Sequence, residues 1–256
     1  MLKRYFIIPD VHFPYECKPA MASMFYFLRD FKPDVVVQLG DLVDFYALSS
    51  YSKDPNRLLT IQDELDMANN FWKKVKQICP KADLYMKSGN HEDRFQKVLW
   101  TKPELSPIKS LKLSNLLGCD DYGVTFVESH QKLVFEDVLQ ITHGKYISAN
   151  SGSSALKELT ARRMSGVSGH VHRAGKVIDP KNGKNYSWVE SGYLGERVEG
   201  FEFMGDLDTN WMKAVTVGYI YDNDGLEVKL DLVEADSKNC FLYNDKLYTP
   251  KGILTF

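Results

Sequence analysis

Short apolar runs alternate with longer amphipathic segments over the first part of the chain. Three of these runs have the composition of buried strands, at residues 5–8, 35–39 and 84–86. Between them, the segments Pro19 to Phe31 and Ile61 to Ile78 carry apolar residues near helical spacing. Alternation of strand and helix is typical of a parallel sheet, so the pattern predicts an α/β fold.

From Trp188 onward, strands and turns replace that alternation. Residues 214–221 alternate in polarity before the Asn-Asp-Gly turn at 223–225 and a second run at 226–233, which predicts a hairpin, and 240–248 predicts a smaller one. Because no fresh helix or linker intervenes, we predict a single domain over 1–256. Its motif-bearing core is 1–193, and the strands of 194–256 are expected to complete a second sheet.

Polar clusters follow the apolar runs and contain five of the six histidines. Transition metals bind imidazole and carboxylate groups, and the clusters contain no cysteine, so thiolate ligation is not expected. In open α/β sheets, binding sites lie at the carboxyl ends of the strands, where these clusters fall. Their ordered co-occurrence predicts a two-metal site. The clusters are Asp10-Val11-His12, Gly40-Asp41-Leu42-Val43-Asp44, Gly89-Asn90-His91-Glu92, His143-Gly144 and Gly169-His170-Val171-His172.

Over residues 5–193 the order of these motifs resembles that of the calcineurin-like metallophosphoesterases. The resemblance implies a four-layer α/β/β/α sandwich with a two-metal site at the strand C-terminal ends. It also implies that His91 hydrogen-bonds the substrate phosphate and protonates the leaving oxygen, while Asp44 orients the His91 ring. The implied ligands are Asp10, His12 and His172 for one metal, Asn90, His143 and His170 for the other, and Asp41 as the bridge.

The chemistry of phosphoester hydrolysis suits such a ligand set. Two metals about 3.5–4 Å apart can share a water as a bridging hydroxide nucleophile and clamp the phosphate oxygens. Two divalent cations against only two ligand carboxylates, Asp10 and Asp41, leave a positive site that attracts an anionic phosphate, and neutral Asn90 preserves that balance. We expect two divalent metal ions, manganese (Mn) first, with Fe, Zn, Ni or Co as alternatives.

Some of these residues have simpler interpretations. A lone histidine is usually a surface or core residue, which is how we interpret His130. Asp44 could instead cap a following helix. Glu92 and Asp93 are interpreted as the acidic start of a helix and are not counted as catalytic.

Candidate substrate contacts lie outside the metal motifs. Arg94 begins a basic run that extends to Leu113, and Tyr46 belongs to an insertion at 45–60 that could stack a base. Arg162 or Arg163, at the end of a predicted amphipathic helix, could reach a phosphate. Each segment could equally be a solvated helix face or a packing element.

Three functional classes compete: a phosphodiesterase, foremost a nuclease acting on DNA or RNA; a phosphomonoesterase; and a non-catalytic scaffold. The protein serine/threonine phosphatases share the Gly-Asn-His-Glu form but continue with Arg-Gly after the aspartate that matches Asp44, where this chain has Phe45-Tyr46. We therefore expect a diester substrate. Intact ligands together with His91 disfavour a scaffold. A net charge of −2 and a pI near 6.3 argue against a surface that coats nucleic acid generally.

The remaining expectations concern location. Four scattered cysteines without CxxC pairing predict free thiols in a reducing compartment. No secretory segment and no run of about 20 apolar residues is found, so we expect a cytoplasmic protein without a membrane partner. The tail after Gly192 resembles that of phosphoesterases carried by tailed bacteriophages, which would make the location the host cytoplasm. The sequence does not indicate an oligomeric state.

Overall fold

The computed structural model describes residues 2–50, 52–54, 57, 59–181, 184–196 and 210–256. Three 3₁₀ turns, Tyr46–Leu48, Pro103–Leu105 and Lys109–Leu111, occur in this part. Its helices are α1 (Lys18–Phe31), α2 (Ile61–Ile78), α3 (Glu92–Thr101), α4 (Leu113–Leu116), α5 (Cys119–Tyr122) and α6 (Ser153–Arg162). Its strands are β1 (Leu2–Ile8), β2 (Val35–Gln38), β3 (Asp83–Lys87), β4 (Val124–Val127), β5 (Leu133–Phe135), β6 (Leu139–Thr142), β7 (Ser165–Ser168), β8 (Ala174–Lys181), β9 (Lys184–Ser191), β10 (Ala214–Asp222), β11 (Leu226–Glu234), β12 (Phe241–Tyr243), β13 (Lys246–Thr249) and β14 (Gly252–Thr255).

Two larger sheets form the centre of the fold. Sheet I has the order β11-β10-β1-β2-β3-β4, in which β1 to β4 run parallel. Sheet II has the order β5-β6-β7-β9-β8, in which β6, β7 and β9 are parallel and both edge strands are antiparallel. A third sheet, β12-β13-β14, is a small antiparallel meander.

Alternating side chains of β1 show how the layers are stacked. Phe6 and Ile8 belong to a core shared with α1 and α2. Tyr5 and Ile7 point the other way, into a core shared with sheet II. On the far side of sheet II, α6 packs Leu159 against the buried Trp188. The layers are therefore helix, sheet, sheet and helix, and the predicted four-layer α/β/β/α sandwich is confirmed.

The C-terminal strands differ from the expectation in one respect. β10 and β11 do form the predicted hairpin, but β10 pairs antiparallel with β1, so the hairpin extends sheet I. The prediction that 194–256 completes the second sheet is wrong; β8 and β9, earlier in the chain, do so. β10 is buried along most of its length on both faces, so its sequence alternation does not specify which sheet the strand joins.

The third sheet covers α1 and is anchored to it by aromatic and polar contacts. Phe27 of α1 stacks on Tyr248 at a ring-centroid distance of 4.4 Å. The Tyr248 hydroxyl and the Lys246 ammonium each donate to Asp30 at 2.8 Å. β14, which was not predicted, completes this sheet.

Two further features bear on the sequence expectations. The four cysteines are unpaired and buried, as the scattered spacing predicted. Among the described helices, none is both long and apolar enough to cross a membrane.

Candidate metal centre and its cavity

The five polar motifs meet where the parallel strands end. Asp10 follows β1, Asp41 follows β2 and Asn90 follows β3, while the other motifs follow β6 and β7 of sheet II. Several of these residues have a left-handed backbone, which bends the chain sharply after each strand. They are His12 (φ 56°), Asp41 (φ 50°), His170 (φ 70°) and His172 (φ 57°).

Asp10, His12 and His172 form the first group of converging ligand atoms. Their ligand atoms lie within 4.8 Å of one another. The Nε2 atoms of His12 and His172 are 3.0 Å apart, and His172 Nε2 is 3.3 Å from Asp10 Oδ2. This is the trio that the resemblance assigns to one metal.

Asp41, His143 and His170 form the second group, and their ligand atoms also lie within 4.8 Å of one another. His143 Nε2 is 3.3 Å from Asp41 Oδ2 and 3.0 Å from Asn90 Oδ1. Asp41 Oδ2 also lies 3.8 Å from His12 Nε2 of the first group. Asp41 therefore stands between the two groups, where a bridging carboxylate would have to be.

The donor set suits divalent transition metals. His143 Nδ1 lies 3.1 Å from the Leu39 carbonyl and His12 Nδ1 lies 3.2 Å from Asp44 Oδ1, so with both Nδ1 atoms as donors each Nε2 is left free to bind an ion. Asp10 Oδ1 is buried and has no hydrogen-bond partner among the described residues, which is costly for a carboxylate unless a cation compensates it.

Electrostatic coupling within the cluster is strong. Burial raises the pKa of Asp41, but the neighbouring imidazoles, His143 first, outweigh that effect and hold it well below its usual range. Conversely, burial lowers the pKa of His143, but the carboxylates of Asp41 and Asp10 raise it to about 10. Such mutual shifts are typical of functional sites.

His91 lies beside the second group; its ring nitrogen converges instead with ligand atoms of His12 and Asp44, within 4.8 Å of one another. Its Nδ1 is 2.7 Å from the Asp44 carbonyl and 3.1 Å from Asp44 Oδ1. Its Nε2 is 3.8 Å from Asp41 Oδ2 and 3.2 Å from the Arg94 guanidinium. Burial lowers the pKa of His91, and the charges of Asp41 and Asp44 more than reverse this, to about 9.

Glu92 has a role that the sequence did not indicate. Its buried carboxylate accepts hydrogen bonds from the backbone N–H groups of Asp41 and Gly89, both at 2.8 Å, and of Leu42 and Val43, at 2.9 and 3.3 Å. It thus ties the turn after β2 to the turn after β3. An acidic residue at the start of a helix is too common to point to this.

A cavity of about 750 Å³ opens over the metal motifs. In its lining, Arg94 donates to the Asp44 carbonyl at 2.7 Å beside His91. Tyr193 and Trp211, also in the lining, contact the His172 ring at centroid distances of 5.1 and 4.4 Å. The described lining residues are His12, Tyr15, Asp41, Asp44, Tyr46, Ser49, Ser52, Lys53, Asp54, Arg57, Asn90, His91, Arg94, Ile147, His170, Val171, His172, Arg173, Tyr193, Gly195, Glu196 and Trp211.

The predicted substrate contacts divide into two sets. Tyr46 and Arg94 line the cavity, whereas Arg162 and Arg163 are not among its described lining residues. Arg162 instead donates to Glu158 at 2.6 Å, and its guanidinium lies over Trp188. Of the cations in the run 94–113, Arg94 lines the cavity and the lysines are not among its described residues.

Two aromatic lining residues, Tyr193 and Trp211, were also absent from the sequence prediction. Neither belongs to a motif, and a single aromatic residue after a strand is usually a packing residue. The only sequence signal was proximity of Tyr193 to the Ser-Gly that ends β9.

Two phage proteins are similar to this chain over most of its length. Gene 54 protein of Mycobacterium phage D29 is 26% identical over 252 residues, covering 91% of this chain and 94% of that protein. Gene 54 protein of Mycobacterium phage L5 is 23% identical over 245 residues, with the same coverage of 91% and 94%. The expected likeness to phage proteins is thus confirmed.

Among solved structures, a single mutant of Vps29 from Entamoeba histolytica matches with a TM-score of 0.37 and 12% identity, covering 92% of this chain and 100% of that one. Vps29 from Chaetomium thermophilum matches with a TM-score of 0.39 and 12% identity, covering 91% and 94%. The family model for calcineurin-like phosphoesterases matches residues 3–191, which is well over half of the chain. The chain belongs to the family of calcineurin-like phosphoesterases.

Proposed function

We propose that the protein hydrolyses phosphodiesters with the help of two divalent metal ions, and that its substrates are nucleic acids or nucleotides. The observation that carries the proposal is the convergence of six candidate ligands in two groups of three, with Asp41 of the second group 3.8 Å from His12 of the first and with Asn90 and His91 beside them. A structural site for one ion would not need a second group or a histidine held next to it.

The proposed ligand side chains are those that the resemblance implies. They are Asp10, His12 and His172 for one metal, Asn90, His143 and His170 for the other, and Asp41 as the bridge. Two divalent ions bound there would lower the pKa of a shared water and neutralise charge on the phosphate. Manganese is the first choice because the set combines imidazole nitrogens with carboxylate and amide oxygens and offers no thiolate.

His91 is proposed to be the general acid. With Nδ1–H donated to Asp44, the Nε2 atom that faces the cavity can hold the proton to be transferred. In the reaction, the attacking water gives one proton to solvent and its oxygen becomes bonded to phosphorus, while the bond between phosphorus and the leaving oxygen breaks and that oxygen takes the Nε2 proton. The Arg94 guanidinium can only donate, so its 3.2 Å contact is with an unprotonated Nε2; when Nε2 carries the proton, Arg94 would bind a phosphate oxygen instead.

The diester preference is supported by the extent of the cavity lining. A diester has two organic groups on its phosphate, and the lining extends past the metal motifs to Tyr46 and Lys53 of one segment and Trp211 of another. Its volume of about 750 Å³ suits a small ligand or the end of a longer chain.

A phosphomonoesterase is a second candidate because of Arg94. The sequence argument against monoesters was that Phe45 stands where protein phosphatases have an arginine. Phe45 is fully buried, but Arg94 brings a guanidinium to Asp44 and His91 from α3. Positive charge for a dianionic monoester is thus available by another route.

A substrate screen separates the candidates. The protein is loaded with Mn²⁺ and assayed on aryl monoesters, phosphopeptides, aryl diesters, cyclic nucleotides, and single- and double-stranded DNA and RNA. The proposal requires diesters to be cleaved at higher kcat/KM than monoesters. Faster cleavage of monoesters with every nucleic acid left intact would select the phosphomonoesterase, and no cleavage of any substrate would select the scaffold.

The role of His91 is tested by His91→Asn. We expect both metals to remain, because the His91 side chain is not one of the ligands, and turnover of an alkoxide-leaving diester to fall by about 10²–10⁴-fold. A diester with a 4-nitrophenoxide leaving group should lose less, since that group leaves without a proton. His130→Asn, at an exposed position, is the matched control. Loss of metal in parallel with activity would contradict the assignment.

A further inference from the structure

The aromatic pair in the cavity lining is not explained by the metal ligands or by His91. Tyr193 is buried and stacks on the His172 ring with an interplanar angle of 14°. Trp211 is only half-buried and meets the same ring at 82°. Trp211 therefore keeps part of its surface accessible in the cavity lining, and its ring centroid is 5.4 Å from that of Tyr193.

The position of Trp211 is fixed by its neighbours. Asn210 accepts a hydrogen bond from Arg173 at 2.6 Å and donates to the Ala149 carbonyl at 2.8 Å. Exposed Ile147 and buried Val171 are apolar members of the same cavity lining. The result is a held aromatic surface with an apolar border, which is the kind of surface on which nucleobases stack.

The order of the rings relates this surface to the reaction. Centroids are 4.4 Å apart from Trp211 to His172, 4.9 Å from His172 to His12, and 4.5 Å from His12 to His91. Trp211 thus lies two rings away from the proposed general acid. Because the leaving oxygen must be next to His91, the group near Trp211 is the one that stays attached to phosphorus.

We propose that Trp211 is the stacking surface for a nucleobase on the retained arm of the diester, so that the substrate carries a nucleoside there and the product is a nucleoside monophosphate. This inference rests on the proposed diesterase function. It names the substrate class of that site and makes Trp211 a specificity-determining residue.

The test holds the leaving group constant and varies the retained arm. The Mn²⁺-loaded protein is assayed on methyl 4-nitrophenyl phosphate and on the 5′- and 3′-(4-nitrophenyl) phosphates of thymidine. Stacking of one base predicts that at least one thymidine ester has a kcat/KM about 5- to 150-fold above that of the methyl ester. Trp211→Ala should remove most of that preference and lower kcat/KM for the thymidine ester far more than for the methyl ester. Trp211→Phe should restore most of it.

A packing role for Trp211 predicts a different outcome. If Trp211 only supports His172, Trp211→Ala will lose metal and will lower the rates on all three esters by the same factor, which would overturn the proposal. Equal kcat/KM for the methyl and thymidine esters in the unmodified protein would overturn it too. Trp100→Ala, which alters a 67% exposed tryptophan outside the described lining, is the matched control and should change neither rate.

A binding measurement keeps the two proposals separate. If no diester is hydrolysed, the proposed function fails, but the base site is still decided by calorimetric titration with thymidine 5′- and 3′-monophosphates against methyl phosphate. Tighter binding of a thymidine phosphate that is lost in Trp211→Ala supports the site. Equal binding of the thymidine phosphates and methyl phosphate would refute it.

Discussion

At the scale of single residues, Glu92 organises the centre without belonging to either ligand group. Each of its carboxylate oxygens accepts two backbone N–H groups, from Asp41 and Gly89 on one side and from Leu42 and Val43 on the other. Burial raises the pKa of Glu92, but neither oxygen has room for a proton, so the geometry requires the ionised form.

Glu92→Gln is therefore expected to be severe although it is isosteric. The amide nitrogen would face two N–H donors and leave them unsatisfied in a buried place, at a cost of about 2–4 kcal/mol. Metal affinity should fall as well, because Asp41 loses its backbone anchor. Urea unfolding in the presence of a chelator measures the first effect, and Mn²⁺ titration measures the second. As the control, Asp93→Asn removes a charge from the same helix start and should change the free energy of unfolding by less than about 1 kcal/mol. If Glu92→Gln and Asp93→Asn lose similar amounts of stability, Glu92 does not anchor the two turns.

Glu64 gives a pH-dependent prediction. Its buried carboxylate accepts from the Phe45 N–H at 2.5 Å, and burial, with the charge of Asp44, raises its pKa to about 8. Because the folded pKa lies above the unfolded value, the unfolded state releases this proton first, and folding stability attributable to Glu64 is lost as pH rises from about 4.5 to 8. Glu64→Gln keeps the acceptor oxygen without the charge.

Between pH 5 and pH 8, we expect the free energy of unfolding of Glu64→Gln to rise relative to that of the unmodified protein by about 3 kcal/mol. Chemical denaturation at a series of pH values, with chelator present, gives the difference directly. For Glu104→Gln, at an exposed position, the difference in unfolding free energy from the unmodified protein should not change with pH. If the difference for Glu64→Gln does not change with pH either, the pKa of Glu64 is not raised.

Residue-level prediction from the sequence worked where chemistry is local. The seven predicted ligand positions could be named because each belongs to a short motif at the end of an apolar run; six of them converge in the two groups, and Asn90 lies beside His143. Arg94 could also be named, from the basic run that begins there. Trp211 and the anchoring role of Glu92 could not be, since both depend on contacts with residues distant in sequence. The contacts of Arg162 with Glu158 and Trp188 are of the same kind.

At the scale of elements, two positions in and after β7 require glycine because a Cβ atom would not fit there. A Cβ on Gly169, after β7, would lie 2.1 Å from Asp10 Oδ1. A Cβ on Gly166, within β7, would lie 2.3 Å from the Trp188 ring, in the core between α6 and sheet II. Both positions are crowded, but only at Gly169 is the crowding group, Asp10, a proposed metal ligand.

Gly169→Ala and Gly166→Ala therefore form a matched pair. Both should lose stability by about 1–3 kcal/mol because overpacking forces neighbouring groups to shift. Gly169→Ala should also weaken binding of the metal held by Asp10, His12 and His172, while Gly166→Ala should leave metal content unchanged. Elemental analysis after gentle desalting, paired with thermal unfolding of the metal-free proteins, separates the effects. Equal metal loss in both variants would show that general destabilisation, not displacement of Asp10, is responsible.

Element boundaries were predictable to the extent that local signals marked them. α2 begins and ends as the periodicity predicted, and its start has a capping box in which Thr60 and Asp63 bond each other's backbone N–H. β14 was missed because it has only four residues and an irregular pattern. It is a strand because it pairs with β13, and that pairing is not visible in its own sequence.

At the scale of the whole molecule, the layer order followed from the sequence but the placement of the last strands did not. Strand and helix alternation, with the resemblance, was enough for the two facing sheets. Which sheet edge the β10–β11 hairpin joins is decided by pairing between residues about 200 positions apart, such as Leu2 with Tyr221. A hairpin signal is local and contains no information about that edge.

The small third sheet tests how far the C-terminal segment contributes to the stability of the whole fold. Tyr248 is 2% exposed, stacks on Phe27 of α1 and donates its hydroxyl to Asp30. Tyr248→Ala removes a buried aromatic ring and should lower the free energy of unfolding by about 3–5 kcal/mol. Tyr248→Phe keeps the ring and loses one hydrogen bond to a charged group, at a cost of about 1.5–3 kcal/mol or less, because Lys246 still binds Asp30.

Urea unfolding, followed by tryptophan fluorescence and by far-ultraviolet circular dichroism, shows whether the third sheet unfolds together with the two larger sheets or independently of them. If the third sheet is part of one cooperative core, Tyr248→Ala shifts a single transition, and both probes still coincide. Metal content at low denaturant should stay at the level of the unmodified protein, because the contacts of Tyr248 with Phe27 and Asp30 belong to α1 and involve none of the candidate ligands. A new early transition confined to one probe would instead mean that β12 to β14 unfold independently of the layers that hold the metal centre.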